Sequence, residues 1–154
     1  MPGIETRPRP IRLAIAISRF NEEYTDGLLR GAQAWLAEHR VPLAPEDVIE
    51  APGAFELPLI AQTLARTGRY DGVVCLGCVI KGETAHFEFI SLGASLGLMM
   101  ASLESGTPIS FGILTTYDDA QAKARSSADS SNKGREAAAA CLASIETLRR
   151  IRGD

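Results

Sequence analysis

The stretch Gly72-Val-Val-Cys-Leu-Gly77 and its continuation, Cys78-Val-Ile-Lys-Gly-Glu-Thr-Ala-His86, decide the fold of this chain. The first part is a short, continuous apolar run, which is typical of a strand buried on both faces of a sheet. The second part leads into a helix and carries His86, one of two histidines. At this junction the imidazole is suited to capping and packing, or to proton transfer beside an anion that backbone N-H groups bind.

Strand patterns and helix patterns alternate outward from this stretch. We predict strands over 11–18, 47–51, 72–77 and 109–114, and helices over 24–40, 57–67, 84 to near 106, 117–124 and 134–150. The helix that begins near 84 is expected to be mostly buried. Continuous apolar strands joined by helices favour right-handed crossovers onto a parallel sheet. The predicted fold is therefore an α/β protein, a three-layer α/β/α sandwich with a four-stranded parallel sheet.

The length and composition predict one domain of a soluble protein. The chain has 154 residues, of which 45% are hydrophobic and 23% charged. Residues 1–10 carry three prolines and predict an irregular N-terminal arm, and residues 11–154 predict a single domain. A net charge of -3 argues against a nucleic-acid surface. No run of 18 uninterrupted apolar residues and no signal pattern appears, so we expect a cytoplasmic protein that does not bind membranes.

The cysteines do not point to redox or metal chemistry. Cys75 and Cys78 spell C-x-x-C, but they lie within the apolar run, whereas a redox pair needs exposed thiols at a helix N-terminus. With Cys141 they form an odd set, which disfavours a disulfide framework. Further ligands for zinc are too few. We therefore expect no metal site, and small molecules or copies of the same chain as partners.

Polar and aromatic residues follow the predicted strands at their carboxyl ends, where loops meet in open α/β sheets. They are Phe20, Glu56, Thr84 and His86. Each has a plain structural alternative: Phe20 as core, Glu56 as a charge favoured by the helix dipole, and Thr84 as a helix cap. Arg125 and Lys133, around a polar turn, are either solvated charges or the cations that bind a phosphate.

The loop after the third strand nearly matches a phosphate-binding P-loop, because Gly77, Gly82 and Thr84 have the right spacing. Glu83, however, stands where that motif has lysine, and a carboxylate there would repel a triphosphate. We therefore exclude nucleotide hydrolysis. A single phosphate bound by backbone N-H groups at the helix N-terminus stays compatible with the sequence.

Five strings, in order over nearly the whole chain, resemble the 6,7-dimethyl-8-ribityllumazine synthase family. They are Arg19-Phe20-Asn21, Pro52-Gly-Ala-Phe-Glu-Leu-Pro58, Gly77-Cys-Val-Ile-Lys-Gly-Glu-Thr-Ala-His-Phe87, Phe111-Gly-Ile-Leu-Thr-Thr116 and Asn132-Lys-Gly134. The resemblance implies a flavodoxin-like sheet. It also implies the penultimate step of riboflavin synthesis, in which a ribitylamino-pyrimidinedione condenses with 3,4-dihydroxy-2-butanone 4-phosphate without a cofactor or metal.

The resemblance also implies roles for individual residues. His86 would donate and accept protons. The pyrimidine and ribityl chain would be bound by Phe20, Ala54, Phe55, Glu56, Cys78, Val79, Ile80, Phe111 and Lys133, and the butanone phosphate by Glu83, Thr84 and Arg125. Phe111, Arg125 and Lys133 would come from a neighbouring subunit, which places the site between chains of a homo-oligomer.

The chain departs from the family pattern at a few positions. Cys78 stands where the family often has threonine and Lys81 where arginine is common, and a Ser-rich turn over 126–131 replaces a glycine-rich segment. A pentamer is the expectation, and a decamer or an icosahedral shell remains open. Two other functions also remain open: a non-catalytic flavin or lumazine carrier, for which Phe20 could stack on the flavin, and a purely structural shell protein.

Overall fold

The computed structural model describes residues 9–154. The strands are β1 (Leu13–Ser18), β2 (Val48–Ala51), β3 (Gly72–Ile80) and β4 (Ile109–Thr116). The helices are α1 (Glu22–Glu38), α2 (Leu57–Arg66), α3 (His86–Ser105), α4 (Asp119–Ser126) and α5 (Lys133–Arg152). All but the last two residues of the predicted N-terminal arm lie outside the described part. The single domain over 11–154 stays a prediction.

The strands form one parallel sheet in the order β2-β1-β3-β4. Helices α1, α4 and α5 cover one face, packed on side chains such as Ile15, Val74 and Leu114. Helices α2 and α3 cover the other, on side chains such as Val73 and Ile113. Every residue of central β1 is buried, as are all residues of β3 except its last. The predicted three-layer, flavodoxin-like α/β/α sandwich is confirmed.

The predicted end of the third strand at Gly77 is wrong, because β3 continues to Ile80. Gly77 does not turn the chain. A Cβ atom on Gly77 would lie 3.3 Å from Ile113 and 3.4 Å from Leu57, so the missing side chain makes room for these core residues. β4 likewise extends past its predicted end to Thr116. The two strands therefore carry their backbone groups further toward the rim of the sheet than the sequence pattern indicated.

The expectation that the long helix is mostly buried is wrong for the single chain. In α3 only Ala94, Leu98 and Ala101 are buried, because one narrow face contacts the sheet and α2. Six large apolar side chains of α3 are exposed: Phe89, Leu92, Leu96, Met99, Met100 and Leu103. By length and composition alone α3 also resembles a membrane span, with a mean hydropathy of 1.3. An apolar helix with so large an exposed surface is typical of a surface that another protein covers.

Candidate active site

A cleft of about 670 Å³ opens at the carboxyl ends of the strands, between the loops that follow β1, β2 and β3. We call it the aromatic cleft. Nine of the residues implied by the resemblance line it: Phe20, Ala54, Phe55, Glu56, Cys78, Val79, Ile80, Thr84 and His86. The fold thus brings together residues that are far apart in the sequence, as expected for open parallel sheets.

Three further residues implied by the resemblance lie elsewhere. Phe111, Arg125 and Lys133 line a second cavity of about 300 Å³ between β4, α4 and α5, which we call the cationic cavity. The aromatic cleft and the cationic cavity share no lining residue. Glu83 is exposed and lines neither of them. Within one chain, the implied site residues therefore form two separate half-sites.

The position of Phe20 is set by the turn between β1 and α1. The Arg19 backbone N-H donates to the Ala51 carbonyl at 2.8 Å, and Asn21 has a left-handed backbone with φ 59° and ψ 50°. Asparagine tolerates that conformation better than most residues. The Phe20 ring, 68% exposed, is consequently left free at the cleft. The alternative that Phe20 is a core residue is excluded.

Asn21 has a second role, which the sequence interpretation missed. Its side-chain amide donates a 2.9 Å hydrogen bond to the Cys78 carbonyl, at a point where β1 has already ended. The only signal in the sequence was the asparagine at a strand exit, which is typical of a turn and does not indicate its long-range partner. Asn21 thereby ties the loop that carries Phe20 to the last residues of β3.

Near Phe20, the end of β3 has backbone hydrogen-bonding groups that no neighbouring strand uses. The Lys81 N-H donates to the Thr116 carbonyl of β4, whereas the Cys78 carbonyl faces Asn21. Backbone polar groups alternate in direction along a strand, so those of Ile80 point to the same side as those of Cys78. On that side β1 pairs with β3 only as far as Leu76. The Ile80 N-H and C=O are therefore free of strand partners and available to the edge of a planar heterocycle, whereas the Val79 backbone faces β4.

Ala54, Phe55 and Glu56 form a short 3-10 turn directly before α2. Ala54 is buried, and Phe55 is exposed with its ring against Gly93. Glu56 is the N-cap residue of α2, where the helix dipole favours its charge, but its carboxylate makes no capping hydrogen bond. Gly53 leaves room for this carboxylate, since a Cβ atom there would lie 3.0 Å from Oε2 of Glu56. The exposed carboxylate is well placed to accept hydrogen bonds from hydroxyl groups.

His86 is the first residue of α3 and is exposed at the mouth of the cleft. Its backbone N-H donates to Oγ1 of Thr84 at 3.3 Å, so Thr84 helps to close the start of the helix. Across the described residues 9–154, no hydrogen bond engages the His86 ring. The imidazole is therefore free to exchange protons with a bound molecule, as a general acid or base requires.

Two cations, Arg125 and Lys133, and one carboxylate, that of Glu136, line the cationic cavity. Arg125 in α4 is exposed and donates one 3.1 Å hydrogen bond to the Gln121 carbonyl of its own helix. Lys133 is the first residue of α5 and pairs with Glu136 at 2.5 Å. This single bond leaves other N-H groups of the Arg125 guanidinium free. A guanidinium can donate two parallel hydrogen bonds to a phosphate, so it binds a phosphate better than a single N-H group would.

Lys81 and Glu88 lie on either side of the loop over 82–85. The Lys81 ammonium is 3.3 Å from the Glu88 carboxylate and 5.7 Å from the centre of the Tyr117 ring. A backbone hydrogen bond within Glu88 and the Lys81 ammonium lower the pKa of the Glu88 carboxyl. At neutral pH the ion pair is thus formed, and it holds together the two ends of the loop that carries Thr84.

The two thiols of the C-x-x-C sequence cannot act as a redox pair. Cys75 packs among the side chains under α2 and α3, whereas Cys78 packs under α1, α4 and α5, on the opposite face of the sheet. Both are free and buried. Within residues 9–154, no three His, Cys, Asp or Glu side chains come together in a group that could hold a metal ion.

We expect Cys78 to resist alkylation in the native protein although it lines the cleft. Burial raises the pKa of its thiol to about 12, so at pH 7 to 8 the nucleophilic thiolate is scarce. Mass spectrometry after iodoacetamide treatment should find native Cys78 unmodified and urea-unfolded Cys78 modified. Native modification at the rate of the unfolded chain would contradict this assignment.

Sequence comparisons agree with the geometry. The 6,7-dimethyl-8-ribityllumazine synthase family model matches residues 10–149. The chain is 71% identical over 147 residues to 6,7-dimethyl-8-ribityllumazine synthase 1 of Caulobacter vibrioides, covering 96% of each chain. It is 44% identical to the 6,7-dimethyl-8-ribityllumazine synthases of Nitratidesulfovibrio vulgaris and Salinibacter ruber, over 92% of this chain and 90% and 91% of theirs. This chain therefore belongs to the 6,7-dimethyl-8-ribityllumazine synthase family.

Proposed function

We propose that this protein condenses 5-amino-6-(D-ribitylamino)uracil with 3,4-dihydroxy-2-butanone 4-phosphate to form 6,7-dimethyl-8-ribityllumazine, with release of phosphate and water. The reaction is the penultimate step of riboflavin synthesis. Family membership over residues 10–149 supports it. The observation that carries it is the aromatic cleft, in which an exposed aromatic ring, a free strand edge, a carboxylate and an imidazole converge.

The aromatic cleft suits the pyrimidine substrate. The exposed Phe20 ring offers a flat face on which the heterocycle stacks. The free N-H and C=O groups of Ile80 match the alternating donors and acceptors at the edge of a uracil-type ring. The Glu56 carboxylate accepts hydrogen bonds from the ribityl hydroxyls. Stacking and edge recognition together orient the amino group that attacks the second substrate.

The phosphate-bearing substrate requires cations that the aromatic cleft does not supply within the described part of the chain. Thr84 and the backbone near Glu83 approach the phosphate from the cleft, and its positive charge comes from Arg125, whereas Lys133 binds the pyrimidine or its ribityl chain. Because these two line a separate cavity, we propose that the neighbouring subunit presents them, together with Phe111, to the cleft. One active site is thus formed from two half-sites.

A homo-oligomer follows from the same arrangement, and a pentamer or an assembly of pentamers is the form we propose. The exposed apolar side chains of α3 support it, since a soluble protein rarely leaves so many on one helix facing water. Burial against neighbouring copies removes this surface without a membrane. A cytoplasmic location, with no nucleic-acid partner, completes the proposal.

The protein's own chemical contribution is orientation plus one acid/base group. The substrate amine attacks the ketone and forms an imine with loss of water. Phosphate then leaves by elimination, and the enol that remains becomes a second ketone. The ribityl-bearing nitrogen attacks this ketone and closes the ring with loss of a second water. These steps are proton transfers and eliminations among groups that the substrates carry. The His86 imidazole shuttles the protons at the attacking nitrogen and at the departing phosphate.

Replacing His86 with alanine should lower kcat by about tenfold, which is less than a general acid or base usually contributes, because the substrates themselves carry most of the groups that transfer protons. Formation of the fluorescent lumazine under saturating substrates measures the change. His39→Ala is the matched control, since the His39 ring stacks on Trp35 at 3.8 Å and is not a cleft residue. Unchanged turnover of His86→Ala would remove His86 from the mechanism.

The function itself is tested by mixing the two substrates with the purified protein and following the lumazine fluorescence. We expect product that scales with protein concentration. Absence of product together with tight flavin binding would instead identify a carrier. Absence of both would identify a protein that keeps only the fold.

A further inference from the structure

The side chain of Asn132 is almost completely buried, at 1% exposure, and every hydrogen-bonding group of its amide has a partner. The oxygen accepts from the backbone N-H groups of Gly134 at 2.8 Å and Arg135 at 3.3 Å. The nitrogen donates to the carbonyls of Gly27 at 3.1 Å and Ser127 at 2.9 Å. Asn132 thus joins three elements: the start of α5, the end of α4 and the middle of α1.

Close packing surrounds this amide. A Cβ atom on Gly31 would lie 2.1 Å from the Asn132 oxygen, and one on Gly134 would lie 1.9 Å from the Leu28 carbonyl. On Gly27 it would lie 2.3 Å from the Ser126 carbonyl. The glycines therefore let α1 approach the α4–α5 turn closely enough for one side chain to reach all of its partners. A side chain that only capped α5 would not need α1 to come this close.

The amide is bonded to the two segments that carry Arg125 and Lys133. Lys133 is the next residue in the chain, and Arg125 precedes the bonded Ser127 carbonyl by two residues. The turn over 128–131 is exposed. Ser131 donates there to the Asp129 carboxylate and to the Ala124 carbonyl, and the Asn132 N-H donates to the Asp129 carbonyl. The bond from the Asn132 amide to the Ser127 carbonyl ties the end of α4, which carries Arg125, to α1 and to the start of α5.

We propose that Asn132 is a positioning residue for the phosphate-bearing substrate, because its bonds to the Gly27 and Ser127 carbonyls fix the end of α4 and with it Arg125. The inference rests on the proposed function, since it assigns the phosphate to the cationic cavity. Asn132 does not contact the substrate. It acts through Arg125, because a shift of about 1 Å in a binding group is enough to lose most of its contribution.

Asn132→Ser separates positioning from capping. Serine is a good N-cap and keeps an acceptor for the first turn of α5, but it is too short to reach the Gly27 and Ser127 carbonyls. We expect the KM for 3,4-dihydroxy-2-butanone 4-phosphate to rise about tenfold, with the KM for the pyrimidine within about twofold of wild type. Inhibition by inorganic phosphate should weaken by a similar factor.

Asp47→Ser is the matched control. Asp47 is also a buried polar side chain with several bonds, to the Ala44 N-H, the Tyr70 hydroxyl and Arg12, but it lies at the opposite end of the sheet. It should lower the melting temperature and leave the ratio of the two KM values unchanged. An equal rise of both KM values in Asn132→Ser, or no change in either, would overturn the inference.

A second variant and a binding measurement keep the outcome clear. If Asn132→Ser does not fold, Gly31→Ala, whose Cβ atom displaces the amide, should give the same selective rise in KM. If neither folds, Asn132 is a folding residue and the inference fails.

If the wild type makes no lumazine, the proposed function fails. Calorimetric binding of inorganic phosphate to wild type and Asn132→Ser then decides the inference alone, and equal affinities, or no binding to the wild type, would overturn it.

Discussion

Replacing Arg125 with alanine is expected to raise the KM for 3,4-dihydroxy-2-butanone 4-phosphate by about ten- to a hundredfold and to leave the KM for the pyrimidine near the wild-type value. A hydrogen bond between a guanidinium and a phosphate contributes roughly 1.5 to 3 kcal/mol. The chain carries a net charge of -3, so an unpaired phosphate would meet an unfavourable field. Initial rates of lumazine formation at varied concentrations of each substrate measure both constants.

Two further variants make the test specific. Arg150→Ala removes an equally exposed arginine from the distal part of α5 and should change neither KM. Arg125→Lys should recover only part of the loss, since a single ammonium cannot donate in the bidentate manner of a guanidinium. An Arg125→Ala protein with unchanged affinity for the butanone phosphate would remove Arg125 from the site.

The second prediction with a large expected effect is that two impaired variants recover activity when they are refolded together. Phe20→Ala impairs the aromatic cleft and Arg125→Ala impairs the cationic cavity, so each variant alone is expected to have low activity. If the site lies between subunits, unfolding and refolding an equal mixture should restore wild-type pairs of half-sites. Random assembly around a ring would give intact sites at about a quarter of the interfaces.

The rescue distinguishes the two arrangements of the site without a structure of the assembly. Mixing without refolding should restore nothing if the subunits do not exchange, and this provides the control. Refolding each variant separately should also restore nothing. A site built within one chain would stay inactive in every mixture, because each chain would carry one defective half. Recovery confined to the co-refolded sample would therefore support the shared site.

Much of the fold was predictable from local pattern. The apolar runs around Ile15 and Val74 indicated central strands because burial on both faces of a parallel sheet requires apolar side chains at every position. The order of strands and helices then limited the topology to few arrangements. The same rule predicted that Phe20, Glu56 and His86 share one rim. These predictions of strands, topology and rim residues need only the order and pattern of residues along the chain, and no contact between particular side chains.

The errors have a common physical origin. Gly77 was interpreted as a break, yet it is a strand residue that makes room for Ile113, a partner 36 positions later in the chain. The apolar α3 was expected to be buried, yet only one narrow face of it meets the sheet and α2, and six large apolar side chains stay exposed. Asn21 and Asn132 had no predicted role, since each amide acts through carbonyls of distant elements. Local pattern carries no information about such contacts.

The sequence alone determined that this protein is a parallel α/β sandwich, that it resembles one enzyme family, and which residue types its candidate site contains. These properties follow from periodicity, chain order and motif. Only the tertiary structure decided that the site residues divide into an aromatic cleft and a cationic cavity, that the Ile80 backbone is free, and that Asn132 bridges three elements. Each of these depends on distances between segments that only packing brings together.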